Sequence, residues 1–276
     1  MAILLKGREL AASLRQELKR KVAELPFTPH LGVVLVGDDP ASQLYVSLKE
    51  QAATEVGIAV EKVLLPAVST AAEVKAVIER FNQQTDIHGI LLQLPLPQQL
   101  DEHEVVGAMD PNKDADGFHP ENLRRFQQGE LAITPGVSEG IMRLIDLANQ
   151  ALTGRSAMLV VNSQEFARPL EKLLRDRGVH TTVTSTVNPN ELRQADIIVV
   201  AVGQPGIITS ACLKDGAIVI DVGTTKLQDR VVGDVESTSL VDRPIYLTPV
   251  PGGVGPMTVV MLLWNVYRLA QRIAVK

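Results

Sequence analysis

The sequence predicts two α/β domains, the second built on a mostly parallel sheet. Three observations lead there. Short apolar runs rich in β-branched residues alternate with segments of helical periodicity along the 276-residue chain. Past Thr134-Pro135-Gly136 the rhythm changes, and runs at residues 157–161, 181–184, 197–202 and 217–222 recur at the spacing of βαβ units. Between the two rhythms lies a loop-rich passage over residues 110–120, with Pro111, Gly117 and Pro120. The length allows two modest cores, so the simplest organisation joins two domains near residues 118–135.

Each element has a local reason. Leu10, Leu14, Leu18 and Val22 recur at helical spacing, which predicts an amphipathic helix over 8–24. The run L-G-V-V-L-V-G at 31–37 reads as a buried strand closed by glycine. Asp38-Asp39-Pro40 turns the chain into a helix that continues to about Val56, and a second strand is expected at 89–94, ended by Pro95 and Pro97. A helix from Gly136 to about Gln150 leads into the βαβ part, and a last helix over 257–273 follows a glycine-rich turn. The sequence shows no internal repeat and no low-complexity tract.

Composition excludes several function classes. No apolar run reaches the ~20 residues of a bilayer span, and the N-terminus lacks the ordered parts of a secretory signal. Net charge is −5 and aromatics make up 3%, without a basic stripe, which argues against nucleic acid as a partner. Cys212 is the single cysteine, so no internal disulfide or cysteine metal cage forms, and a cytoplasmic location is the natural reading. The five histidines are widely separated and give no metal signature.

Four motifs carry possible chemistry. Ser42, Tyr45 and Lys49 stand as S-x-x-Y-x-x-x-K, which puts the phenol and the amine on one helix face. A desolvated lysine there is a usable base, although such a pair also suits a solvated face. The tyrosine–lysine spacing is shared with short-chain dehydrogenases, but no glycine-rich nucleotide loop precedes this pair, so that reading is set aside. Gln93 closes an apolar strand before two prolines and, if buried, needs a polar partner, which a nearby backbone group would also supply. Asp116 precedes Gly117 in a pattern that by itself marks a turn. The run T-P-V-P-G-G-V-G-P-M-T at 248–258 fixes an unusual backbone, one able to press on a planar ligand before a helix starts.

Together, in this order, the four motifs resemble the bifunctional methylenetetrahydrofolate dehydrogenase/methenyltetrahydrofolate cyclohydrolase family. The similarity covers nearly the whole chain, including K-G-R-E-L-A at 6–11, V-G-D-D-P-A-S at 36–42, the segments at 195–205 and 216–223, and P-G-G-V-G-P-M-T at 251–258. The resemblance implies a catalytic folate-binding domain over 1–120 and 256–276, with the final helix returning to it, and a Rossmann-type dinucleotide domain over 121–255. It implies Lys49, Tyr45, Gln93 and Asp116 as catalytic residues, and Ser42, Pro251, Gly252 and Gly253 as further contacts to the tetrahydrofolate substrate. NADP or NAD would be the cofactor, held near Asn162, Ser163, Gly203 and Thr224. A homodimer is implied, and no metal.

One segment departs from the family. Its G-R-S-x-x-V-G-x-P loop is here V-N-S-Q-E-F-A-R-P over 161–169, so both glycines and the arginine are missing. Val161 brings a branched Cβ where the backbone should approach the cofactor, Asn162 offers no guanidinium to a 2′-phosphate, and Glu165 adds negative charge near Arg168. The stretch Ser185-Thr-Val-Asn188 and the approach Ala132-Ile133-Thr134-Pro135 also differ from the family's pattern. The expectation is an intact cyclohydrolase with weak NADP binding, or binding shifted toward NAD. Two narrower readings stay open: a cyclohydrolase without dinucleotide binding, and a non-catalytic folate-binding paralogue.

Overall fold

Alternation of buried apolar runs with amphipathic segments produces two separate parallel sheets. The computed structural model describes residues 1–130, 132–228 and 230–274. Its first half contains β1 (Ile3–Leu4), α1 (Gly7–Ala23), β2 (His30–Val36), α2 (Pro40–Val56), β3 (Ala59–Leu65), α3 (Ala71–Gln83), β4 (Gly89–Leu92), α4 (Glu102–Val106) and α5 (Pro120–Gln127). There follow α6 (Gly136–Asp146), β5 (Ser156–Val161), α7 (Gln164–Asp176), β6 (His180–Thr184), α8 (Pro189–Leu192), β7 (Ile197–Ala201) and β8 (Ile218–Asp221). The chain closes with β9 (Thr225–Leu227), β10 (Arg230–Val232), β11 (Tyr246–Leu247) and α9 (Val254–Ala274).

One unit comprises Ala12–Gly136 and the chain from Val259 on. Its three-stranded sheet has the order β3-β2-β4, all parallel. β2 is the central strand and is buried on both faces, as its unbroken apolar run requires. Val34, Val36, Ile90 and Leu92 pack there with Val74, Ile78 and Phe81 of α3. Gly32 is needed at this contact, since a Cβ would come within 2.8 Å of the Phe81 ring.

The other unit comprises Met1–Ala11 and Val137–Thr258. Its six strands run β1-β11-β8-β7-β5-β6, with every neighbouring pair parallel. β5 leads to β6 on one side, whereas β7 lies on the other, so the strand order reverses between β5 and β7. That reversal opens a crevice at the carboxyl ends of the two strands.

The boundaries differ from those expected at 1–120 and 121–255. Residues 1–11 join the six-stranded unit because β1 pairs with β11, Ile3 opposite Tyr246 and Leu4 opposite Leu247. Residues 121–136 stay with the three-stranded unit. There the Asn122 amide donates to Pro111 O at 2.7 Å and to Asp114 Oδ2 at 3.0 Å, and Gly136 N donates to Asp116 O at 3.2 Å. The final helix does return to the three-stranded unit, where fully buried Asn265 donates to Ala115 O at 3.0 Å and Thr134 O at 2.9 Å.

Candidate active site

In the three-stranded unit, α2 begins where the sequence provides a stop for β2 and a cap for a helix. The Asp39 carboxylate accepts the Ser42 N–H at 2.7 Å, and Pro40 occupies the first turn, where a missing N–H has no consequence. Ser42 is thereby buried in the cap, with 5% exposure. Tyr45 and Lys49 follow one turn apart, both half-buried.

Gln93 stands one residue past β4, and its backbone N–H continues the pairing by donating to Val34 O at 2.9 Å. Its side chain is 8% exposed and has two partners. Oε1 accepts from Lys49 Nζ at 2.9 Å, and Nε2 donates to Leu94 O at 2.5 Å. The second bond fixes which end of the amide faces the lysine. The peptide bond that follows, Leu94–Pro95, is cis.

Asp116 is held by its surroundings. Ile90 N donates to Lys113 O at 2.6 Å and Ala115 N to Ile90 O at 3.1 Å, which laces the loop to β4. Asp114 anchors the next turn by accepting from Gly117 N, His119 N and Asn122 Nδ2. Gly117 is required there: it has φ +84°, and a Cβ would lie 2.8 Å from the Pro135 backbone. Burial pushes the Asp116 carboxyl up, with the Lys49 charge opposing. Burial pushes the Lys49 amine down, with the Asp116 charge opposing. Lys49 and Gln93 are hydrogen-bonded, and the Lys49 and Asp116 charges act on one another, both residues being half-buried. Asp114, Asn122 and Asn265 escaped the sequence reading. Asn265 inside an apolar helix was the available signal, because a buried amide demands partners.

The remaining expected residues lie in the six-stranded unit. Gly252 O accepts Arg8 N at 2.9 Å, and a Cβ on Gly7 would lie 1.9 Å from Gly253 O, so the 251–253 turn packs closely against the backbone at residues 7–8. At the crevice, Asn162 Nδ2 bridges to Val202 O at 3.1 Å, tying the end of β5 to the end of β7. The Ser163 hydroxyl caps α7 by accepting Phe166 N at 3.1 Å and also meets Glu165 Oε2 at 3.1 Å. Gly203 has φ +68° and open space where a Cβ would stand. Thr224 is exposed, just before β9.

Residues 5–116 match the catalytic-domain model of tetrahydrofolate dehydrogenase/cyclohydrolase, and residues 135–274 match its NAD(P)-binding domain model. The chain belongs to the tetrahydrofolate dehydrogenase/cyclohydrolase family. The bifunctional protein FolD of Streptococcus pyogenes serotype M1 is 43% identical over 280 residues, covering 99% of each chain. Among solved structures, FolD from Campylobacter jejuni superposes with TM-score 0.94 at 36% identity, covering 99% of this chain and 100% of its own. The enzyme from Trypanosoma brucei, described as complexed with NADP cofactor and inhibitor, gives 0.93 at 33%, covering 99% and 98%. The chain is thus a dehydrogenase and cyclohydrolase of folate one-carbon metabolism. Among the described residues no helix is long and apolar enough to cross a membrane.

Proposed function

We propose that Lys49 is the base of the cyclohydrolase reaction, with Gln93 orienting it, Asp116 gripping the pterin edge and Tyr45 positioning substrate or water. The observation that carries this reading is the Lys49–Gln93 bond, 2.9 Å long, inside a site whose burial pushes the amine down. Methenyltetrahydrofolate is a cation with its charge spread over two nitrogens, and water must attack the carbon between them. A charged ammonium would repel that cation and could accept no proton. A neutral amine that spends one N–H on Gln93 Oε1 keeps its lone pair for the attacking water. The Gln93–Leu94 bond holds the amide in the matching orientation. An ionised Asp116 accepting pterin N–H groups contributes roughly 1.5–3 kcal/mol per charge-assisted bond.

The crevice between β5 and β7 fits a dinucleotide. Gly203 presents bare backbone, and the N-terminus of α7 lies at the strand-order reversal, where a phosphate gains from the helix dipole. Bound NAD(P) supplies the hydride acceptor; the protein's part is to hold it in register with the methylene carbon. Neither the β5–α7 turn, N-S-Q-E at 162–165, nor the end of β6, T-S-T at 184–186, provides an arginine for a 2′-phosphate. Asn162 is engaged with Val202 O, and Glu165 adds negative charge. NADP binding is accordingly weak, or shifted toward NAD, in a domain that matches the NAD(P)-binding model. A homodimer and a cytoplasmic location belong to the same reading, the first from the family resemblance and the second from the single, buried Cys212.

Loss of methenyltetrahydrofolate absorbance on mixing with enzyme tests the cyclohydrolase assignment, and a Lys49→Met variant with retained turnover would eliminate Lys49 as the base. Calorimetric titration of NAD and NADP tests the cofactor reading. Tight binding of NADP, above that of NAD, would refute it.

A further inference from the structure

Behind the β5–β7 crevice lies a feature that neither activity requires directly. Asp234, two residues past β10, is completely buried. Its Oδ2 accepts the N–H groups of Val202, at 2.7 Å, and Gly203, at 3.0 Å, which form the turn after β7. Its Oδ1 is buried without a hydrogen-bond partner among the described residues. A second carboxylate, Asp221 at the end of β8, organises the returning segment by accepting Gly223 N, Asp234 N and Val235 N at 2.9–3.0 Å. Two glycines make room for the pair. A Cβ on Gly223 would fall 2.5 Å from the Asp234 carboxyl carbon, and one on Gly233 would fall 1.9 Å from Asp221 Oδ2.

An acidic group with an unsatisfied oxygen is an expensive way to terminate two N–H donors in a core. Here its bonds end on the turn that carries Gly203. From the other side, Asn162 donates to Val202 O in the same turn, so one peptide segment is gripped by both its N–H and C=O groups. Because Asp234 occupies the two N–H groups, the turn offers its open Gly203 surface rather than those donors.

We propose that Asp234 is a positioning residue for the dinucleotide, its carboxylate holding the Val202–Gly203 turn so that the open face of Gly203 receives the cofactor. The proposal rests on the assignment of the β5–β7 crevice as the dinucleotide site. It concerns affinity for the cofactor, and so the dehydrogenase step, and leaves the cyclohydrolase step untouched.

Asp234→Asn in the full-length enzyme is the test, since an amide keeps the shape and one acceptor while losing the charge. NAD affinity by calorimetry should weaken at least tenfold, and KM for the dinucleotide should rise more than kcat falls. Amide hydrogen exchange at Val202 and Gly203 should accelerate. Cyclohydrolase turnover and the melting temperature should stay near wild type. Asp234→Ala should be worse than Asn on every cofactor readout. Unchanged affinity, or unchanged exchange at the two amides, would overturn the proposal. So would a parallel fall of melting temperature, cyclohydrolase and affinity, which would mark a general structural role. If wild-type enzyme binds neither NAD nor NADP, the assignment of the crevice fails first and the proposal falls with it.

Discussion

The two strand-end sites of this chain solve opposite problems with similar topology. At the end of β4, in the three-stranded unit, titratable side chains are desolvated beside one another, and their proton affinities are displaced from the ordinary range. At the ends of β5 and β7, in the six-stranded unit, the surface proposed for the dinucleotide is backbone, with Gly203 open and the turn bonded by Asn162 and Asp234. Proton transfer depends on the identity and pKa of particular groups, whereas hydride transfer to a bound dinucleotide depends on placement. A chemical site is therefore lost by one substitution, while a placement site tolerates replacement of several side chains if the turn survives. The 161–169 loop lacks its family's glycines and still forms a β5–α7 turn, because the Ser163 hydroxyl caps α7.

The comparison breaks most easily at Lys49. Replacement by methionine should lower cyclohydrolase turnover by about 10²–10⁴-fold, the span of general-base contributions. Circular dichroism should remain native, and calorimetric NAD affinity should remain unchanged. Equal damage to both sites would erase the distinction drawn between them.

The next effect belongs to the placement site and is read in stability. Burial, opposed by three N–H bonds and reinforced by Asp234, pushes the Asp221 carboxyl up to about 6 from 3.8. Between those values the folded state holds a proton that the unfolded state has released, so stability falls as pH rises through the window. The full contribution is about 3 kcal/mol at 1.36 kcal/mol per unit. Denaturant titrations from pH 4 to pH 7 should show this loss in wild type, and Asp221→Asn should flatten it. An identical pH profile in the variant would remove Asp221 as the cause.

Asp116→Asn sharpens the chemical side. Losing a charge-assisted grip of roughly 1.5–3 kcal/mol should raise KM for folate by one to two orders of magnitude. Because the Asp116 charge supports the protonated lysine, its removal should also move the acidic limb of the cyclohydrolase pH–rate profile to lower pH. A shift to higher pH would contradict the coupling. The smallest effect is expected at Asn162→Arg, which should improve NADP binding relative to NAD by about tenfold, one ion-pair-scale increment of ~1.4 kcal/mol. No change in the ratio would place the 2′ position away from this turn.

Much of the fold was legible because buried parallel strands announce themselves as continuous apolar runs. β2, β5, β7 and β8 all appear within a residue or so of their expected places. β3 went unread, since Glu61 and Lys62 interrupt its apolar residues, as an edge strand with part of its surface in solvent allows. α3 also went unread, although Thr70 and Glu73 form a capping box whose spacing was visible. β1 could not be recognised from Ile3-Leu4, because two residues become a strand only when β11 lies beside them. Lys49, Gln93 and Asp116 are proposed as site residues through family resemblance rather than through local pattern, and the structure adds the Lys49–Gln93 hydrogen bond. Asp114 and Asp116 look alike in K-D-A-D-G, and only three dimensions show the first tying down its turn while the second is left to feel the Lys49 charge.

Neither unit is a continuous stretch of chain, and this has a consequence for biosynthesis. β1 is made some 240 residues before its partner β11, and α9 follows later still. At 5–20 residues per second that interval is on the order of 12–48 s. Throughout it, the opening strand waits without a neighbour, and the three-stranded unit lacks its closing helix. Each unit therefore completes only once its late element has been made, and fragments cut at the midpoint should be poor substitutes for the whole.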